Sequence, residues 1–379
     1  MKFIPFLFLL VLSTAVYSGT IDSLENVLKT AKGDLKVKTL NELFRAHINS
    51  DPVKAIGYTR EALTLATEID DRKGMAASYN NLGVAYRSQG ALDKSLEYYL
   101  ISLRIYNSLK NKDGIATIKS NIATIYSMKK DYGQAMKYFE EAYAQFSELG
   151  EQPKVIISMN NLGNLHSDLQ LYEQALKYYS QAAQLSEKSG KIYSDPFNNM
   201  GNLYFKQGNY QRAVGYYEKA LLLAKQENNQ LTMLNVLANL GEVYARSGQN
   251  NKAQIYLDSA SLMSNQLQAY VYEPAILKSM AYNYAKQNKM KEAYEVMVRY
   301  DLVKEKIYGE ESTRKIAQME IALDLTEKEK EIELLKTNEK LNTLELHNTR
   351  IAVTAIILGI IVILSVVSII YSRLSTKKK

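Results

Sequence analysis

An eleven-residue phrase returns through this 379-residue chain and restricts its fold more than any other feature. NNLGVAYRSQG begins at Asn80, and related phrases begin at Ser120, Asn160, Asn198, Ala238 and Lys278, with spacings of 40, 40, 38, 40 and 40 residues. A fixed period in this range, with two apolar segments per period, describes stacked supersecondary units, because one unit alone cannot bury its apolar face. Each phrase carries a large apolar residue, a small one beside it, and usually an aromatic three further on: Leu82, Gly83 and Tyr86 in the first, Leu162, Gly163 and His166 in the third. A second helix follows with a small residue at Ser95, Ala135, Ala175, Ala213, Ala253 and Ala293, then a large one four residues later, from Tyr99 to Met297. Small facing large across two helices is the pattern of an interdigitated core, with the glycine placed where the helices approach too closely for a side chain. KAIGYTREAL from Lys54 lies 40 residues before KSLEYYLISL and adds a degenerate unit, for about seven helical pairs in all.

The concurrent Leu-Gly, Tyr, Gly and Ala positions resemble the tetratricopeptide repeat family, over about residues 40–309. The period exceeds the usual 34 residues of that family, which predicts about one extra turn on each helix. The prolines agree, since Pro153, Pro196 and Pro274 fall where lengthened first helices should begin and Asp51-Pro52 reads as an N-cap with its first helical residue.

The flanks place this array. Residues 1–18 read as a cleavable secretory signal, with Lys2, an apolar run and small residues before a cut after Ser18; an uncleaved signal anchor, which would turn the topology into a hairpin, stays open beside it. Residues 19–39 read as an N-terminal capping helix, 40–309 as the repeats, and 310–350 as a helical stalk with coiled-coil spacing at Leu325/Ile332 and Leu334/Leu341. The register shifts between those two pairs, so the choice stays open between a homodimer through the stalk and one solvated helix. Residues 351–371 are uncharged and long enough to cross a bilayer. Arg373, Lys377, Lys378 and Lys379 in the tail 372–379 then put the C-terminus in the cytoplasm and the repeats outside the inner membrane.

Composition narrows the function. No cysteine is present, so no thiolate nucleophile, disulfide framework or cysteine metal site is available. The net charge of +7 includes five terminal basic residues; the 42 remaining cations against 40 acids leave +2, which does not point to nucleic acid. His47, His166 and His347 are far apart, and neither nucleotide-binding loops nor a metalloprotease motif occurs. The expectation is a non-enzymatic protein with no cofactor and no metal.

The candidate site is the asparagine before each Leu-Gly pair: Asn81, Asn121, Asn161, Asn199 and Asn239. The resemblance implies that these line the concave face and hydrogen-bond the main chain of an extended peptide, a task an amide suits because it donates and accepts at once. Service between neighbouring helices is the competing role. Seven residues on, Lys206, Arg246 and Lys286 predict a basic second half of the groove that meets an acidic stretch of ligand. Signal, repeats, stalk and span together resemble the periplasmic sensor halves of Bacteroidetes-type signalling proteins, in which an output domain follows the span. The resemblance implies a membrane receptor or adaptor for a protein or peptide; an architectural scaffold and the detached sensor half of a kinase or transcription regulator stay open beside it.

Overall fold

The computed structural model describes residues 11–376, all helices and short links. The elements are α1 (Val11–Thr30), α2 (Gly33–His47), α3 (Pro52–Glu68), α4 (Arg72–Ser88), α5 (Leu92–Ser108), α6 (Lys112–Met128), α7 (Tyr132–Leu149), α8 (Gln152–Asp168) and α9 (Tyr172–Lys188). They continue with α10 (Asp195–Lys206), α11 (Tyr210–Gln226), α12 (Gln230–Arg246), α13 (Asn250–Gln266), α14 (Glu273–Lys286), α15 (Met290–Tyr308) and α16 (Glu310–Thr376), with a short 3-10 turn at Tyr270–Tyr272. Helices α2 to α15 form seven antiparallel pairs within a unit that spans 1–316.

The unit of construction is half the repeat. Left-handed residues close the helices at Asp70, Gly90, Lys110, Lys130, Gly150, Gln170 and Gly190, then at Gly208, Asn228, Gly248, Gln268 and Asn288. The spacing is 20 residues throughout except from Gly190 to Gly208, where it is 18. After α4 the amide of Gly90 reaches the Arg87 carbonyl and that of Ala91 the Tyr86 carbonyl, both at 3.0 Å. This double bond satisfies the last carbonyls of the helix and needs the left-handed residue between them. Opposite ends are held by side chains: Asp71 accepts from the Gly74 amide at 2.8 Å and Asn111 from the Gly114 amide at 3.0 Å. Seventeen helical residues and three link residues make the common half-repeat, as in α4 and α5, and this is how the longer period is absorbed.

Within a pair, the glycine of the first helix packs on the large residue of the second. A Cβ on Gly83 would stand 2.4 Å from the Tyr99 ring, one on Gly163 2.4 Å from Tyr179, and one on Gly201 2.5 Å from Tyr217. The first-helix aromatic stacks on the first tyrosine of each second-helix pair: Tyr126 on Tyr138 at 5.7 Å, Tyr204 on Tyr216 at 5.3 Å and Tyr244 on Tyr256 at 5.4 Å between ring centres. His166 takes the same slot, its ring tilted 38° against Tyr178 at 5.1 Å between centres, with Nδ1 2.8 Å from the Leu162 carbonyl oxygen. Both tyrosines of each doublet thus have a place, one in the core and one in this stack.

First helices of neighbouring pairs touch, as α8, α10, α12 and α14 do in succession, whereas no two neighbouring second helices do so to a like extent. The array accordingly curves toward its first helices, which line the inner face. It curls far enough for the Val271 amide to donate to the Asn49 carbonyl at 3.3 Å, joining the turn of the first pair to the link before the last.

The N-terminal boundary differs from the expected one. The chain breaks at Ala31-Lys32 within the supposed capping helix, and α2 is the first helix of the degenerate repeat, so the pairs begin at Gly33. Helix α1 rests on the first pair, where Glu25 accepts from Lys54 at 3.1 Å and from the Tyr58 hydroxyl at 3.3 Å. Residues 1–10 of the expected signal lie outside the described residues, as do 377–379 of the tail.

The second unit spans 317–379 and is helical through Thr376. Its stretch Leu335–Val366 is long and apolar enough to cross a membrane. The described apolar side chains there are exposed, Ile356 at 62% and Ile363 at 64% among them.

Candidate ligand-binding face

The asparagines stand along the inner row, and most of them reach back to the preceding repeat. Asn81 donates to Asn41 Oδ1 at 2.8 Å, Asn121 to Asn80 Oδ1 at 2.8 Å, Asn161 to Ser120 Oγ at 3.2 Å and Asn239 to Asn198 Oδ1 at 2.9 Å. This is a ladder between first helices, with a rung at each of these four junctions. Its lower partners escaped the sequence reading, although doubled asparagines at Asn80-Asn81, Asn160-Asn161 and Asn198-Asn199 signalled them.

The ladder divides the candidates. Asn81 is 1% exposed and lies in a closed network, because Asn41 also accepts from Thr59 and Ser78 at 3.1 and 3.2 Å. It locks the first two pairs and offers nothing to a ligand. Asn121, Asn161, Asn199 and Asn239 are half-buried. In Asn121, Asn161 and Asn239 the amide nitrogen makes the rung while the oxygen is left to accept, so structural and ligand-facing roles can coexist in one side chain.

The three cations do not form an open strip. Lys206 is paired with Asp168 at 2.9 Å and reaches Ser167 Oγ at 3.3 Å. Arg246 stands 3.5 Å from Glu242 and 4.2 Å above the Tyr282 ring, whose centre Lys286 also approaches at 5.5 Å. Asp168 occupies the same repeat position as these cations, which is why the stripe neutralises part of itself. An acidic ligand segment would have to displace these contacts.

Three further residues belong to this face and were missed: Asn160, Asp195 and Glu227, grouped where α10 is short. The signal for them was the lone 38-residue spacing. Burial holds the Asp195 carboxyl above the usual carboxylate range, although the side chain keeps contact with solvent in a concave wall. Burial raises Glu227 as well, against the hydrogen bonds it accepts from the Ser194 amide at 2.6 Å and the Ser194 hydroxyl at 3.2 Å; the charge of Asp195 adds to the rise. Among the described residues no group of three or more histidines or acids could hold a metal ion.

Fold and face together define an α-solenoid of helical hairpins whose inner helices carry a row of amides. Tetratricopeptide repeat models match residues 75–109, 114–188 and 194–263, so the chain carries tetratricopeptide repeats over those stretches. The matched models are repeat models, and no catalytic domain is evident beside them. No curated protein matches the chain in sequence. Among solved structures, aspartyl phosphate phosphatase F from Bacillus subtilis is similar, with a TM-score of 0.52, 17% identity and coverage of 76% of this chain and 75% of that one. NprR in complex with its cognate peptide NprX gives a TM-score of 0.52 at 15% identity, covering 86% of this chain and 100% of that one. A Rap protein complexed with Competence and Sporulation Factor gives 0.50 at 15%, covering 79% and 98%. At these identities the likeness is one of fold.

Proposed function

We propose that this chain is a single-span membrane protein whose repeat array holds a protein or an extended peptide along its inner face, as the receptor or adaptor of a signalling step. The observation that carries the reading is the row of half-buried asparagines whose oxygens stay available after the nitrogens have tied the repeats together. Acceptors spaced by repeats along a groove suit the main-chain amides of an extended ligand, while the stacked repeats hold them fixed before it arrives. NprR, complexed in its structure with a cognate peptide, supports the reading as an analogy of fold. The apolar helix at 351–371 supports the membrane anchor, and the basic tail after it a cytoplasmic C-terminus with extracytoplasmic repeats. Exposed leucines and isoleucines such as Ile332, Leu341 and Leu344 support pairing of two chains through the stalk.

The test is capture of partners from solubilised membranes by the full chain. Ile157 and Asn235 are exposed on first helices, four residues before Asn161 and Asn239; Leu222 and Ile255 are exposed on second helices. Ile157→Arg with Asn235→Arg should abolish capture, while Leu222→Arg with Ile255→Arg should leave it intact. The opposite pattern would move the binding face to the outer helices.

A further inference from the structure

The inner row has an opening at its fifth pair. Helix α10 has 12 residues where α8 and α12 have 17, and its missing first turns are replaced by a link from Gly190 to Ser194. A cleft of about 510 Å³ lies there between the starts of three successive first helices. Its apolar wall comes from Ile156, Ile157 and Leu231, its polar wall from Asn160, Asp195 and Glu227.

The polar wall is made of acceptors. Asn160 is 5% exposed, and its Oδ1 has no hydrogen-bond partner among the described residues. In the ladder this atom is the counterpart of Asn80 Oδ1 and Asn198 Oδ1, which accept from Asn121 and Asn239. The short helix costs the array that one rung. A buried carbonyl oxygen without a donor is expensive and marks a place for a group from outside. Beside it stand two carboxylates, and the resident cation on the wall, Lys191, has its ammonium over the Tyr193 ring at 5.0 Å.

We propose, on the reading above that the inner face holds a peptide, that this cleft takes the cationic head of a lysine or arginine side chain of that peptide. The head supplies N–H donors to Asn160 Oδ1 and to the carboxylates of Asp195 and Glu227, and the aliphatic stem lies along Ile156, Ile157 and Leu231. Burial raises both carboxyls, so an incoming cation finds acids that gain most from being paired. Lys191 competes with the guest by charge and sets the affinity down.

A random nonapeptide library offered to the full chain in nanodiscs tests this, with captured peptides sequenced. Charge-assisted hydrogen bonds predict enrichment of lysine or arginine by about tenfold at one ligand position. Asp195→Asn with Glu227→Gln should remove that enrichment while peptides are still captured, and Lys191→Met should increase it. Capture without basic enrichment, or enrichment unchanged in the double variant, would overturn the cationic subsite and leave the peptide groove standing. Failure to capture any peptide would overturn both. A rise in melting temperature with calcium chloride that the double variant lacks would also overturn it, by assigning the carboxylates to a metal.

Discussion

Tyr99 and Tyr179 occupy the same slot in two repeats and differ in one contact. The Tyr179 hydroxyl donates to Asn164 Oδ1 at 2.7 Å, whereas Tyr99 packs with Val84 at the equivalent position and its hydroxyl has no partner among the described residues. Tyr179→Phe should therefore lower stability by about 1 kcal/mol, and Tyr99→Phe should be neutral or stabilising, read as shifts in melting temperature of the full chain. Asp195 shows the reverse relation between stability and function. Desolvation raises its carboxyl while the residue stays exposed to solvent, which screens the cost of ionisation; Asp195→Asn should raise the melting temperature at pH 7.5 only slightly, with the gain shrinking as the pH falls into the carboxylate range. The sequence marked the asparagine positions by period alone, but it could not say which were spent. That depends on what stands forty residues earlier: Asn41 closes over Asn81, whereas the later oxygens stay available.

Most helix boundaries were legible because capping residues, prolines and glycines recur with the period. The exception is instructive at the level of the element. Non-glycine residues close α3, α5, α6, α8, α11, α13 and α14 in left-handed geometry, and at Lys110, Lys130, Gln170 and Gln268 no local signal announces them. Gln170→Gly should stabilise the array by about 1 kcal/mol, since a side chain in that geometry costs this order of energy. By contrast, Gly163→Ala should destabilise by about 1–3 kcal/mol, because its Cβ would meet the buried Tyr179 ring. At the N-terminus, amphipathic periodicity ran through the break at Lys32 and disguised two helices as one. Helix α1 docks by a titratable cluster in which Lys54 holds Glu25 below the usual carboxylate range, and burial, helped by Lys54, lowers His47. Both shifts mean that the unfolded chain binds protons first. Docking should be fully stable above about pH 6.5, weaken as the unfolded imidazole titrates, and weaken again below about pH 4.3. Hydrogen-exchange protection of α1 amides, taken relative to the intrinsic rate at each pH, checks the sign: protection that rises on acidification would contradict it.

At the scale of the molecule, the period predicted a curved stack but not how far it curls, since the Val271 to Asn49 contact joins residues with no sequence signature between them. Nor did it locate the cleft, which follows from the two residues missing before α10. The membrane reading rests on composition and is directly testable. Ile357→Arg with Ile361→Arg should release the chain from carbonate-washed membranes, because each charge near the bilayer centre costs roughly 2.5–3.5 kcal/mol on insertion. The absence of cysteine also permits a clean topology map, in which Ser189→Cys should label from outside the membrane and Ser375→Cys only after permeabilisation. The central claim is that the ligand lies along the first helices. It is tested most directly by a photo-crosslinking residue placed in the full chain at position 157, on the inner row, and in a second protein at position 222, on a second helix. A partner should be trapped from 157 and not from 222; a partner trapped from 222 alone would put the ligand on the second helices instead.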